Sequence, residues 1–330
     1  MTLVVLLGVL LLLSALGVPL AFAILAACFA TISLFRPSLP MELMAQQLVK
    51  GIDHLVLAGH DLAAMRQLYA ALGFTLTPPA LHPFGTANSL VQLDGCFLEL
   101  LTVADPAAIP EATPERFSFA AFNRDFLGRE EGFSMLVLDS ADARADVAAY
   151  RAAGLRTWEP FDFSRQAKLP DGLEVTVGFS LAFAGAPDAP RAGFFSCQQH
   201  APQHFWKPEY QRHANTARTI TEVVLVAQAP EKLEGFIAGF SGVPAEQGRC
   251  ATARGAIRLL TPAAWFAAFR QSPPSLAQGP RLAGCTIAVE DLDAVTSRAA
   301  AAGLPLTGSR GRYTLAAEHA FGVAVSFVRA

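Results

Sequence analysis

The feature that most restricts how this 330-residue chain can fold is an order of elements that returns four times. Internal repetition settles architecture early, because each repeat must bury its apolar face against a neighbour. Gly51-Ile52-Asp53-His54-Leu55-Val56-Leu57-Ala58 reads as an apolar strand. Leu62, Met65, Leu68, Tyr69 and Leu72 then recur at helical spacing, and Gly73 stops the helix. Phe74–Thr77, Thr86–Leu93 and Gly95–Val103 read as three further strands, the last two joined by the turn Asp94-Gly95. The order is β-α-β-β-β. A second copy starts at Gly132, with a helix over Asp142–Ala153 and strands Thr157–Phe163, Glu174–Ala184 and Gly193–Gln199. A third starts at Thr219, with helix Glu231–Phe240 and strand Ala256–Leu260. A fourth starts at Leu282, with helix Leu292–Ala302 and strands Arg312–Ala316 and Gly322–Val328.

Composition excludes some function classes. Charged residues are 16% of the chain and the net charge is −3, so no basic excess exists to neutralise phosphates, and nucleic acid is not an expected partner. The cysteines (28, 96, 197, 250 and 285) are odd in number and form no CxxC pair. That rules out a disulfide scaffold or a zinc ribbon and fits a reducing compartment.

The mean hydropathy of +0.36 has a local source: residues 1–35 contain no charged side chain. A stretch of about 20 apolar residues suffices to span a bilayer. The expectation is one transmembrane helix within an anchor segment 1–48, kinked at Gly17-Val18-Pro19. Arg36 and Lys50 flank its end and place the remaining chain in the cytoplasm. A secretory signal is the alternative for the segment, but no basic residue precedes Leu3.

Four phrases carry a family resemblance. Gly51-Ile52-Asp53-His54-Leu55-Val56-Leu57 resembles the opening strand of the vicinal oxygen chelate (VOC) superfamily, in its glyoxalase-like branch. Tyr69-Ala70-Ala71-Leu72-Gly73-Phe74 resembles its helix end, and Gly95-Cys96-Phe97-Leu98-Glu99-Leu100-Leu101 its last strand. His82-Pro83-Phe84-Gly85-Thr86-Ala87-Asn88 resembles a further element of the family. The resemblance implies an α+β fold of four βαβββ modules paired into two glyoxalase-like domains, 49–215 and 216–330, behind the transmembrane helix. The second of these domains is degenerate.

It also implies a site. First-strand His and last-strand Glu are metal ligands in such proteins, which makes His54 and Glu99 the expected catalytic and metal-binding residues, for iron, manganese or zinc. The alternative for this pair is a hydrogen-bonded polar pair without metal. Module two offers Met135 and one of Ser196, Cys197 or Gln198; module three offers Glu222 and Arg258. A complete metal site would therefore need help from His200, His204 or His213. His82, Asn88, His200, His204, Trp206 and His213 are the expected substrate-binding residues, three of these histidines falling in the polar run after module two. The implied function is a lyase, isomerase or dioxygenase acting on a small oxygenated molecule. The alternative is a non-catalytic ligand-binding protein, and a homodimer is left open.

The first 53 residues resemble something else, the start of the large membrane subunit of TRAP-type dicarboxylate transporters. No other long apolar run follows, so the segment is expected to act as an anchor or to record a gene fusion. In the second case the chain would be wholly cytoplasmic.

Overall fold

The computed structural model describes residues 2–17, 23, 26, 27, 30, 50–168, 174–309 and 311–330. The chain divides into two units, Met1–Val49 and Lys50–Ala330. In the first, α1 (Thr2–Ala15) is a 14-residue helix. At 1.5 Å per residue it is about 21 Å long, against about 30 Å of bilayer hydrocarbon. Among the described residues no helix is long and apolar enough to cross a membrane. This overturns the expected transmembrane helix and leaves the membrane partner and the membrane-anchored location without support. An uncharged sequence favours an apolar environment, but it does not fix the length of continuous helix that forms. Val18 and Pro19 of the expected kink, and Cys28, lie outside the described residues.

The second unit holds two sheets. The nine-stranded sheet contains β1 (Ile52–Ala58), β2 (Ala80–Leu81), β3 (Thr86–Gln92), β4 (Phe97–Val103), β5 (Gly132–Ser140), β6 (Arg156–Thr157), β7 (Phe161–Lys168), β8 (Glu174–Gly185) and β9 (Gly193–Gln199). Its order is β2-β3-β4-β1-β5-β9-β8-β6, with β7 also on β8. Modules one and two thus meet along the antiparallel β1–β5 pair, and each closes on itself through a parallel pair, β1–β4 and β5–β9. The seven-stranded sheet contains β10 (Ala217–Val226), β11 (Arg249–Ala251), β12 (Ala256–Leu260), β13 (Arg281–Val289), β14 (Leu306–Ser309), β15 (Arg312–Leu315) and β16 (Ala324–Arg329). Its order is β11-β12-β10-β13-β16-β15-β14.

Four crossover helices follow the opening strands: α2 (Leu62–Ala71), α4 (Ala143–Ala152), α6 (Glu231–Ser241) and α8 (Leu292–Ala301), with α3 (Phe119–Leu127), α5 (Pro202–Phe205) and α7 (Pro262–Phe269) between modules. Local chemistry explains their limits. The Asp61 side chain accepts from Ala64 N at the start of α2. At the end, Gly73 takes φ +93°, a left-handed conformation that glycine adopts without a Cβ penalty.

Strand alternation divides the interior in two. Leu55, Leu57, Leu98, Leu100, Leu136, Leu138 and Phe194 point into one core, which they share with Ile220, Val223, Leu225, Ile237 and Phe240 of the second half. Their neighbours Val56, Phe97, Leu101, Met135, Val137, Phe195 and Cys197 point to the opposite face, into a separate, aromatic cluster. The first core holds the halves together; the second surrounds the site.

Several local expectations change. Phe74–Thr77 is not a strand: the Thr75 amide donates to the His213 ring at 3.0 Å and the Thr77 amide to Leu90 O at 3.0 Å, so part of its backbone bonding goes to a side chain. The expected strand 157–163 is broken between β6 and β7. Helices α3 and α7 fall between modules, in segments to which the repeat assigned no element.

Candidate functional site

His54 and Glu99 are side by side because β1 and β4 run parallel with Val56 opposite Glu99. His54 lies two residues before Val56, so both side chains fall on the aromatic face. Both are almost fully buried, at 4% and 5% exposure. His54 stacks on Phe97 with ring centroids 4.2 Å apart and meets the edge of Phe195 at 5.6 Å. Its Nδ1 lies 2.6 Å from Asp53 Oδ2, a contact that holds the Nδ1–H tautomer and leaves the Nε2 lone pair facing inward.

That Nε2 is 3.8 Å from Glu99 Oε2. The separation is too long for a hydrogen bond, so each atom is left free to meet a third group. The other oxygen, Glu99 Oε1, accepts from Asn88 Nδ2 at 2.6 Å. Asn88 reaches His82 Nε2 at 3.3 Å, and His82 Nδ1 pairs with Thr86 Oγ1 at 2.8 Å. His82 is held in the β2–β3 turn, where Gly85 takes φ +87° and an added Cβ would lie 2.4 Å from Asp105 O.

The electrostatics follow from burial. Desolvation pushes the Glu99 carboxyl above the usual carboxylate range, against the opposing pull of His54, the Asn88 bond and Arg165. Burial thus favours the protonated carboxyl, the form that can donate from Oε2. His82 is lowered from 6.5 to about 3, first by burial and then by the Arg165 charge, so its ring is neutral. The two groups act oppositely on stability. Between pH 6.5 and 3 the unfolded chain takes up a proton at His82 that the folded chain refuses, so this contribution falls as pH drops. Folding raises the Glu99 pKa, so its contribution is largest in acid and falls as pH rises past 4.5. We expect NMR titration to show no His82 imidazolium above pH 5. Arg165→Met should raise the midpoint only part-way, since burial is the larger cause; a wild-type midpoint above 6 contradicts this account.

These groups border a cavity of about 50 Å³ whose lining includes seven phenylalanines, Leu90, Leu181, Cys197 and Arg165. At about 10–15 Å³ per water, it holds three to five waters, or a ligand of a few heavy atoms. Arg165 comes from β7, where its backbone pairs with β8, and its guanidinium has no ion-pair or hydrogen-bond partner among the described residues. Burial lowers its pKa, and Glu99 is the charge that opposes this. Sequence reading missed both Arg165 and Asp53. Arg165 is one charge in a polar strand, and Asp53 is adjacent to His54, but no pattern indicates that its carboxylate turns back onto the ring.

The other expected residues lie elsewhere. His200 Nε2 pairs with Ser180 Oγ at 2.7 Å, and neither residue lines the cavity. His213 is wedged under β3, its Nδ1 accepting from Thr75 N at 3.0 Å and its Nε2 donating to Gln92 O at 2.7 Å. His204 sits on α5 and does not line the cavity. Trp206 packs edge-on to Phe97 at 5.9 Å and lines a separate outer cleft. What the polar run does contribute to the cavity is apolar, the Phe205 ring.

The metal expectation can be tested on the donor set. In the parallel β5–β9 pair Val137 lies opposite Phe195, so Phe195, and not Ser196, takes the place that Glu99 holds in module one. Ser196 points the other way and bonds Asp146 Oδ2. Met135 takes the His54 place. The second module therefore supplies a thioether and a phenyl ring where two further N/O donors would be needed. Among the described residues no group of three His, Cys, Asp or Glu is placed to hold a metal ion. In the second half, Glu222 takes the His54 place and Arg258 the Glu99 place, and they form an ion pair at 3.2 Å.

The sequence matches the family model of the glyoxalase-like domain over residues 52–239. The chain belongs to the glyoxalase-like domain family. No curated protein matches it, and the family match does not reach residues 1–51, so the transporter resemblance has no support. Among solved structures, this glyoxalase-like chain is similar to a hypothetical protein from Staphylococcus aureus at 12% identity and TM-score 0.60, covering 86% of this chain and 100% of that one. It is similar to a 4-hydroxymandelate synthase mutant from Streptomyces coelicolor at 9% identity and TM-score 0.50, covering 85% and 92%. It is also similar to homoprotocatechuate 2,3-dioxygenase from Arthrobacter globiformis at 10% identity and TM-score 0.50, covering 86% and 80%. At such identities these likenesses show the fold alone.

Proposed function

We propose that this protein is an acid–base enzyme, a lyase or isomerase, acting on a small oxygenated acid without a bound metal. The observation that carries the reading is the pair His54 Nε2 and Glu99 Oε2, 3.8 Å apart and both unengaged, at the floor of a phenyl-lined cavity. An oxo acid of a few heavy atoms would set its carboxylate against Arg165. Glu99 would donate its proton to the carbonyl oxygen. His54 Nε2, oriented by Asp53, would take a proton from the adjacent carbon. The C–H bond breaks, its electrons form the enol double bond, and the oxygen gains the Glu99 proton. The dry aromatic wall strengthens each of these interactions. The donor set supports this reading over a metal-dependent one, because only His54 and Glu99 remain of the inherited ligand places.

Calorimetry with pyruvate and its uncharged analogue hydroxyacetone tests the ligand class. Pyruvate should bind about tenfold or more tightly, corresponding to the loss of one charge-assisted hydrogen bond of about 1.5–3 kcal/mol. Arg165→Met should erase the difference. Elemental analysis of the same preparation should find well under one metal ion per chain. One bound ion per chain, with pyruvate binding abolished by chelator, would overturn the metal-free reading.

A further inference from the structure

Among the described residues the second half of the chain carries no donor set of its own, yet one of its side chains reaches the strand that holds His54. Arg254 lies in the loop between β11 and β12. Its Nη1 donates to Ile52 O at 3.0 Å and to Asp139 Oδ2 at 3.3 Å, while its backbone carbonyl accepts from Ile52 N at 3.0 Å. Asp139 in turn accepts from Gly51 N at 2.8 Å, and Ala253 N donates to Lys50 O at 3.0 Å. The start of β1 is thus pinned on both backbone sides immediately before Asp53 and His54. Room for the arginine is made by two glycines: a Cβ on Gly51 would lie 2.8 Å from Arg254 Cβ, and one on Gly95 would lie 2.9 Å from Arg254 Nε. Arg254 and Asp53 border one outer cleft, where Gln199 Nε2 donates to Asp53 Oδ1 at 3.2 Å. Elsewhere the halves meet through apolar rings such as Phe194 and Phe236, whose centroids are 4.8 Å apart, and through the ion pairs Arg218–Asp94 and Arg281–Glu130, neither of which touches β1. Of these guanidiniums Arg254 is the one that bonds the backbone of β1, next to Asp53 and His54.

We propose that Arg254 is a positioning residue for the Asp53–His54 pair, so that the second half of the fold sets the geometry of the site in the first. This rests on the reading of His54 as the proton acceptor of the cavity. The mechanism is direct: the anchored Ile52 peptide fixes where β1 begins, and so fixes the approach of the Asp53 carboxylate to His54 Nδ1.

The test is nitrogen NMR on the full chain with ¹⁵N-labelled histidine. Wild-type His54 should show the Nδ1–H tautomer with a slowly exchanging ring proton. In Arg254→Met that proton should exchange about 5–10-fold faster, as expected for losing about one hydrogen bond of 1–1.4 kcal/mol. Arg254→Lys should recover part of the protection. Asp139→Asn, which keeps an acceptor for Gly51 but loses the ion pair, should shift exchange in the same direction by less, and it serves if Arg254→Met does not fold. Phe236→Ala loosens the contact between halves without touching Ile52 and should leave the His54 signal unchanged. An unaltered His54 signal in Arg254→Met, or an equal change in Phe236→Ala, overturns the positioning role. So does a wild-type His54 without the Nδ1–H signature, since no oriented pair would then exist to be held. Loss of pyruvate chemistry in His54 variants tests the underlying reading separately, and either result can fail alone.

Discussion

His54→Ala should slow protein-catalysed deuterium wash-in at the methyl group of pyruvate by about 10²–10⁴-fold, the usual contribution of one positioned general base. The ring is the acceptor in the proposed chemistry, and no other described residue presents a free imidazole nitrogen to Glu99 Oε2. His82 cannot substitute, because its Nε2 accepts from Asn88 and burial holds its proton affinity down to about 3. Asp53→Asn should lose nearly as much. An amide can present N–H to His54 Nδ1, and the ring would then carry its proton on Nε2, with no lone pair left for the ligand. Glu99→Gln should also be slow, since Gln still accepts from Asn88 but has no acidic proton to give. Proton NMR of pyruvate in D₂O reads all three. Wild-type exchange no faster than the buffer blank would return the protein to the ligand-binding alternative.

Phe194→Ala should destabilise the chain by about 3–5 kcal/mol, the normal range for deleting a large buried aromatic. Phe194 is 1% exposed and packs on Phe236 at 4.8 Å and Phe240 at 5.5 Å, rings carried by α6 of the second half. Its neighbour Phe195 faces the other way, into the cavity wall. Phe195→Ala should therefore enlarge the cavity and change which acids fit, whereas Phe194→Ala should lower the unfolding midpoint and leave the ligand preference alone. Urea unfolding of the two variants beside pyruvate calorimetry separates these outcomes; a Phe194→Ala chain as stable as wild type would mean the halves are not held by this core.

How far the site could be read in advance depends on which interactions are local. His54 and Glu99 stand out in sequence because each is a polar residue inside an apolar strand, and burying such a group is costly without a partner. Asn88 and His82 stand out through one short phrase around a turn. The polar run after module two misled for a physical reason: two of its histidines spend their ring nitrogens away from the cavity, His213 on the Thr75 amide and Gln92 O and His200 on the Ser180 hydroxyl, so a concentration of polar residues there marks packing of a connection rather than a binding wall. Helix α1 shows the same limit. Its composition is that of a membrane span, but helix length depends on where continuous hydrogen bonding ends.

The sequence by itself determined the modular order, because strand and helix periodicities and glycine stops are local properties, and it determined that His54 and Glu99 share the polar places of module one. Only the tertiary structure decided that Met135 and Phe195 occupy the matching places of module two, because which side chain stands opposite which depends on strand register and not on spacing along the chain. It also decided that Arg165 reaches the cavity from β7 and that Arg254 reaches β1 from the other sheet. Those two guanidiniums lie 66 and 202 residues away from the residues they serve (Glu99 and Ile52), and no local preference carries information over that distance.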